Sequence, residues 1–421
     1  MDLIIGAGVT GISYANFTNN DFLIIEKEKE VGGYCRTIKR NGFVWDYSGH
    51  FFHFQNPEIE KYVCKNIDPS LLLKVEKHTQ IYYKGKYVDF PFQKNIHQLD
   101  KEELVDCLYN LFIPYNGEVS SFKEMVYANY GKSIAEKFLI PYNEKLYACD
   151  LNSLDMNAMG RFFPKANKEE IILNFKAHDN SSYNSHFTYP KTGAIEYVNS
   201  LLQNIDMTKV YVEEELISID SEKKIATTNR RKIHYDRLIS TIPLPVLLTK
   251  CRIDYPKGVF SCNKVLVFNL GFDSKGNDSQ NSWIYVPEKD YIFYRFGYYD
   301  NIMGSDHMSL YVEIGFPENS ELNKEGLYLE RILHDLKKMG VVTTQELLDY
   351  ESVLMKPAYT HISKSSIETV EHVKKELCKK DIYTIGRYGG WTYCSIEDNI
   401  LEAKHLVHCL RQNEKSTGKS A

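Results

Sequence analysis

No stretch of the 421-residue chain approaches the roughly 18 consecutive apolar residues of a membrane span. The short run at residues 2–5 ends at once in Gly6-Ala-Gly8, which is not the layout of a secretory signal, so a cytoplasmic location is the expectation. The nine cysteines form no C-x-x-C pair and their number is odd, which argues against a disulfide framework and a cysteine zinc site. They read instead as small apolar residues. Thirteen histidines show no H-E-x-x-H or similar spacing, so no metal is expected. Lysine and arginine number 51 against 56 acidic residues, a net charge of −5 with no long basic stripe, which excludes a nucleic-acid scaffold. Internal repeats are missing. Apolar residues at 43% and charged residues at 25% are too ordinary a balance for disorder.

What is present points to two or three domains, given about 100–200 residues per domain. Tyrosine is frequent, at 31. Hydroxyl-tipped rings suit a large polar pocket, and a general compositional bias accounts for them equally. Residues 2–5, 9–18 and 22–26 read as strand, helix and strand. Residues 80–92 read as a hairpin around Lys84-Gly85. Helices are expected from Asp100, from the capping box Ser121-Phe-Lys-Glu124 to Gly131, and from Ser133 to Leu139, stopping before Pro141. Strands return over 209–245 and 263–315. Residues 325–339, 343–351 and 397–411 read as helices, and 381–391 as a strand entering a glycine turn. The polar tail after Arg411 is expected to fray. Its Gly418-Lys-Ser420 imitates a phosphate loop, but Asn413 stands where that loop requires a glycine.

The opening unit carries the first chemistry. Gly6-Ala-Gly8-Val-Thr-Gly11 joins the strand to the helix: Gly6 permits the tight turn, Gly8 a close approach of pyrophosphate, and Gly11 close helix–strand packing. The free N–H groups and the helix dipole favour an anion there. Glu26 ends the second strand, where a carboxylate accepts ribose hydroxyls. Strand, helix, strand and Glu26 in register predict dinucleotide binding; the bland alternative is an ordinary turn in an α/β unit.

Val31-Gly32-Gly33-Tyr-Cys-Arg36 follows, and resembles the second signature of FAD proteins of the amine oxidase, protoporphyrinogen oxidase and UDP-galactopyranose mutase superfamily. Gly33 would let the diphosphate approach and Arg36 would neutralise it. Tyr47-Ser-Gly49-His50-Phe51 resembles a mutase segment beside the flavin. Tyr87-Val-Asp-Phe90-Pro91-Phe92-Gln93-Lys-Asn95 is similar to the W-V-P-Y-P-F-Q-N-N run of eukaryotic-type mutases. Phe138-Leu-Ile-Pro141-Tyr142-Asn143-Glu-Lys145-Leu-Tyr147 is similar to their F-x-x-P-Y-N-x-K-x-W. Asp236–Pro243, Phe293-Tyr294-Arg295 and Gly386-Arg387-Tyr388-Gly389-Gly390-Trp391-Thr-Tyr393 complete the order. There are departures. Tyr147 stands for the mutases' tryptophan and Phe90 for a tyrosine. Their G-E-R-V gate aligns with Gly160-Arg161-Phe162-Phe163, so the arginine comes one residue early. Glu397 falls near their asparagine.

The resemblance implies an α/β fold: a Rossmann-type FAD-binding domain (1–75, 185–250 and 375–415), a helical substrate insertion (97–184) and an antiparallel-sheet substrate domain (76–96 and 251–374). It implies a FAD-dependent nucleotide-sugar pyranose/furanose mutase of cell-surface polysaccharide biosynthesis, with N5 of the reduced flavin as nucleophile toward the anomeric carbon. In that reading Gly6, Gly8, Gly11, Glu26, Gly33, Arg36, Arg387 and Gly389 hold FAD. Arg295 grips the leaving diphosphate and His50 tunes the flavin or contacts the sugar, unless it is a buried structural histidine. Phe138 lies flat on uracil, with Asn143, Tyr285, Tyr359 and Tyr393 as further substrate contacts. Arg161 is either a displaced diphosphate ligand or a solvated residue. The partner is a nucleoside diphosphate sugar; NAD(P)H as reductant and an oligomeric state are compatible with this. The same FAD motifs also suit an FAD-dependent oxidoreductase of an amine, porphyrinogen or carotenoid-like substrate. The altered gate leaves a third reading, a flavin-binding partner subunit without catalysis.

Overall fold

The structure, a computed structural model, describes residues 1–177 and 185–416. Strand β1 (Asp2–Ile5), helix α1 (Val9–Phe17) and strand β2 (Phe22–Ile25) form the expected unit. Strand β1 lies at the centre of a five-stranded parallel sheet, in the order Ile382–Thr384, Arg237–Ser240, β1, β2, Val210–Tyr211. A parallel strand covered on both faces reads as an unbroken apolar run, and β1 is buried at every residue. The strand order reverses at β1, so a crevice opens at the carboxyl ends of the strands, where ligands enter such sheets. Helix α1 and the last helix, Ile396–Ser416, pack together over this sheet.

The second layer is a large, mostly antiparallel sheet. Its order is Leu347–Met355, Ser261–Phe272, Ser309–Pro317, Arg295–Tyr298, Trp283–Tyr285, Thr79–Tyr83, Lys86–Asp89. The last two strands are the predicted hairpin. Lys84 and Gly85 both take positive φ, 48° and 77°, as a tight two-residue hairpin turn requires. The parallel pairing of Trp283–Tyr285 with Thr79–Tyr83 joins the hairpin to the rest of the sheet.

Three expectations need correction. Residues 343–351 are not helical: Leu347–Met355 is the edge strand paired with Ser261–Phe272. Leu and Glu there are good helix formers, but intrinsic propensity amounts to roughly a few tenths of a kcal/mol per residue, and the ladder overrides it. Gly131 does end its helix as expected, its backbone leaving the helical region at φ 69° and ψ 171°. The helical segment that follows does not stop before Pro141: it continues through a π-helical turn at Ala135–Leu139 into Ile140–Tyr147. Pro141 therefore does not stop the helix; it occupies its first turn, where its missing N–H costs nothing. The last helix runs past Arg411 to Ser416, and Gly418–Ser420 lie outside the described residues. The capping box at Ser121 and Glu124 is present in full.

Candidate active site

The two glycine signatures meet. The Ala7 carbonyl accepts the Gly32 N–H at 2.8 Å, which ties the loop after β1 to the loop after β2. A Cβ built on Gly33 would lie 3.5 Å from the Gly8 Cα, so the two glycines face each other backbone to backbone. No side chain caps the N-terminus of α1, which leaves its first amides to the crevice. Gly11 stands behind the loop: its Cβ would come within 2.1 Å of the Gly6 carbonyl oxygen. Its role is the helix–strand packing inferred from the spacing.

Glu26 is held by two backbone amides, Ala7 N–H to Oε2 at 2.8 Å and Glu28 N–H to Oε1 at 2.9 Å. Each carboxylate oxygen keeps a further lone pair. Arg36 is fixed by Nε donating to the Gly33 carbonyl at 2.9 Å and lies 4.8 Å over the Tyr47 ring. From this end a cavity of about 1090 Å³ runs past His50 to Arg295 and the tyrosines. Gly6, Gly8, Glu26, Gly33, Arg36, His50 and Arg387 line it, as do Phe138, Asn143, Tyr285, Arg295, Tyr359 and Tyr393. Gly11 and Gly389 do not. A Cβ on Gly389 would meet Thr384 Oγ1 at 2.9 Å and the Ser240 carbonyl at 3.1 Å, so Gly389 serves packing behind the wall.

Sequence reasoning missed the partner of Arg295. Across the ladder Arg295 stands opposite Glu313. Its Nε donates to Oε2 at 2.8 Å and its Nη2 to Oε1 at 2.9 Å. Ser48 donates a further hydrogen bond to Glu313. Arg295 is thus a guanidinium held in one orientation at the cavity wall, its pKa raised further by the Glu313 charge against the opposing effect of burial. A lone acid in the apolar run Ser309–Pro317 was the available signal, since a buried charge needs a partner.

Arg387 lies nearer the tyrosines than a role confined to the flavin loop implies. Its guanidinium is 4.6 Å from the centroid of the Tyr393 ring and 5.3 Å from that of Tyr359. Its Nη1 reaches the Cys394 carbonyl at 3.2 Å, and its Nε has no partner among the described residues. Tyr359 and Tyr393 stack at 5.9 Å. Burial raises the pKa of Tyr285 and of Tyr359, so both remain hydroxyl donors near neutrality. The Nδ1 of His50 is buried without a partner, and burial pushes its pKa down to about 4, so the ring is neutral at pH 7.

At the helical end Phe138 is a core ring, 2% exposed, stacked on Phe92 at 5.3 Å and on Tyr142 at 5.2 Å. Phe138 also lines the cavity, so this stack forms part of its wall. Asn143 donates to the Leu139 carbonyl at 2.6 Å and leaves its buried Oδ1 without a partner. Arg161, 48% exposed at its side chain, pairs with Asp398 at 2.7 Å. Glu397 accepts the amides of Gln55 and Asn56 at 3.0 and 2.8 Å. Two of the four places where the sequence departs from the mutases, Arg161 and Glu397, are thus engaged within the protein.

A profile of the family described as flavin containing amine oxidoreductase matches residues 15–359. The chain belongs to this family. FAD is the cofactor, and the facing glycines, the uncapped helix N-terminus and the anchored Glu26 fit its diphosphate and ribose. Among solved structures, reduced UDP-galactopyranose mutase superposes with a TM-score of 0.89 at 22% identity, covering 98% of this chain and 94% of the other. A candidate protoporphyrinogen oxidase from Exiguobacterium sp. superposes at 0.76 with 16% identity and 98% coverage of both chains. The chloroplastic protoporphyrinogen oxidase of Nicotiana tabacum is 22% identical over 169 residues, 37% of this chain and 30% of that protein. The aligned part is less than a third of that relative. No helix among the described residues is long and apolar enough to cross a membrane, and no group of acidic, histidine and cysteine side chains there is arranged to hold a metal.

Proposed function

We propose that this flavoprotein is a nucleotide-sugar pyranose/furanose mutase, similar in activity to UDP-galactopyranose mutase. The observation that carries this reading is the oriented Arg295–Glu313 pair in the same cavity as Arg387 and the hydroxyls of Tyr285, Tyr359 and Tyr393. A cationic, hydroxyl-lined chamber suits a diphosphate; an apolar amine or porphyrinogen would leave these groups desolvated and unmatched. Reduced FAD, when bound, supplies a nucleophile toward the anomeric carbon.

The chain's own residues do the rest. Gly8, Gly33, Glu26 and Arg36 hold the dinucleotide. Arg295, held by Glu313, meets the negative charge that develops on the departing diphosphate, and the tyrosines donate to its oxygens. Neutral His50 offers a hydrogen bond beside the flavin without adding charge. Asn143 Oδ1 accepts from the nucleotide. The substrate is a nucleoside diphosphate sugar handled in the cytoplasm for surface polysaccharide synthesis. The family's amine oxidoreductases favour a second reading, substrate oxidation by FAD.

Arg295→Lys tests the proposal. Lysine lacks the two-pronged donor, so kcat and affinity for UDP-galactopyranose fall together, with kcat/KM down by about 2–4 kcal/mol. Flavin absorbance per protein stays at the wild-type ratio. Unchanged turnover by Arg295→Ala would retire the diphosphate role.

A further inference from the structure

One half-buried cation outside the cavity wall has no part in the chemistry above. Lys145 extends from the helix Ile140–Tyr147, and its Nζ donates to the carbonyls of Val286, Glu288, Tyr291 and Phe293 at 2.9, 2.9, 3.0 and 2.5 Å. An ammonium has three protons, so four converging oxygens are a full shell made wholly of backbone. Burial pushes this ammonium toward its neutral form, lowering its pKa to about 7 against the opposing charges of Asp335 and Glu288.

The carbonyls belong to one loop, and the loop joins two strands of the site. Trp283–Tyr285 ends at Tyr285 on one side, and Arg295–Tyr298 begins with Arg295 on the other. The outer side of the loop is held separately: Asp335 accepts the Ile292 amide at 2.9 Å, and Arg331 donates to the Asp290 carbonyl at 2.5 Å. Asn143 lies two residues before Lys145 on the same helix, and Phe138 lies in the turn that leads into it. Tyr142 of that helix meets the Tyr285 ring edge-on at 5.2 Å.

We infer that Lys145 is a positioning residue that sets the distance between the nucleoside end of the cavity, at Asn143, and the diphosphate end, at Tyr285 and Arg295. The inference rests on the nucleotide-sugar reading above. A ligand that spans both ends gains from their fixed spacing, as any two-headed ligand does when the second contact becomes intramolecular. A ligand that engages one end gains nothing from it. The coupling is therefore visible as a difference between ligands, which a merely structural role would not produce.

The experiment titrates the FAD-loaded protein with UDP, uridine and pyrophosphate by calorimetry, for wild type and Lys145→Met. The expected result is a loss of about tenfold or more in UDP affinity, with uridine and pyrophosphate each within about twofold of wild type and the flavin content unchanged. Equal weakening of all three ligands, or no change in any, would overturn the inference. If Lys145→Met does not retain FAD, Lys145→Arg serves in its place: its planar fork keeps the charge but cannot satisfy oxygens that converge on one point, so the same ligand pattern is expected in milder form. Failure of both variants to hold FAD would also overturn it, because Lys145 would then be a determinant of the whole fold. Wild-type protein that binds none of the three ligands would bring down the nucleotide-sugar reading itself, an outcome separate from any effect of the variants.

Discussion

Arg295 and Glu313 show how one arginine is both buried and available. Two hydrogen bonds to Glu313 fix the plane of the guanidinium, so its remaining donor edge is aimed before any ligand arrives. Preorganised charge of this kind costs no reorganisation during reaction. Glu313→Gln keeps the shape and removes the charge. We expect it to lower kcat/KM by about 1.5–3 kcal/mol, the scale of a charged hydrogen bond, with flavin content unchanged; steady-state kinetics and absorbance check both. The acid-side behaviour follows from His50. Burial depresses its pKa to about 4, whereas the unfolded chain takes up that proton near the ordinary value. The unfolded state binds more protons between these two values, so His50 makes stability fall as pH drops from about 6.5 toward about 4. Asp46, raised to about 6 by burial, works in the opposite sense over part of that window. Replacing His50 with Gln should flatten the acid-side loss in thermal melts. Activity should show no inflection from His50 near pH 6.5.

At the level of elements, the helical insertion depends on a close approach. Gly131 has φ 69°, and a Cβ there would lie 2.2 Å from the Asn110 carbonyl oxygen. Gly131→Ala should therefore cost about 2–4 kcal/mol of stability by denaturant titration, because both the backbone conformation and the space exclude a side chain. A cost near zero would mean that the two helices part easily. This kink also shows where sequence reading stops. Gly131 is legible as a helix end because glycine so often ends helices; only the neighbouring helix shows that it also lets two backbones touch. The edge strand Leu347–Met355 was hidden for a related reason, since its pairing partner lies far away in sequence and local propensity is weak. By contrast, β1, α1 and β2 were legible because a buried parallel strand is a nearly continuous apolar run, as Leu3–Ile5 and Phe22–Ile25 are, and the glycines between leave room for close approach. The hairpin at Lys84-Gly85 and the capping box at Ser121 were legible because their chemistry is local. The site divides the same way. Glu26 and the glycines follow from spacing along a single unit, while Glu313 is fixed only by register across a sheet.

Taken whole, the molecule places a dinucleotide cradle on a parallel sheet and a cationic, tyrosine-lined chamber on a second sheet, with one cavity through both. On the proposed reading, that continuity would bring a nucleoside diphosphate sugar and the flavin within reach of each other, and it is the basis for proposing a redox-neutral mutase. The family alone allows an oxidase. The two differ in what the flavin must be at the start of turnover and in what is consumed. The most direct measurement incubates dithionite-reduced, FAD-loaded protein with UDP-galactopyranose, chromatographs the nucleotide sugars, and records oxygen uptake in a parallel aerobic reaction. The account predicts a new furanose peak that requires reduced flavin and forms without stoichiometric oxygen consumption. An unchanged sugar nucleotide, or product that appears one for one with oxygen consumed, would contradict it.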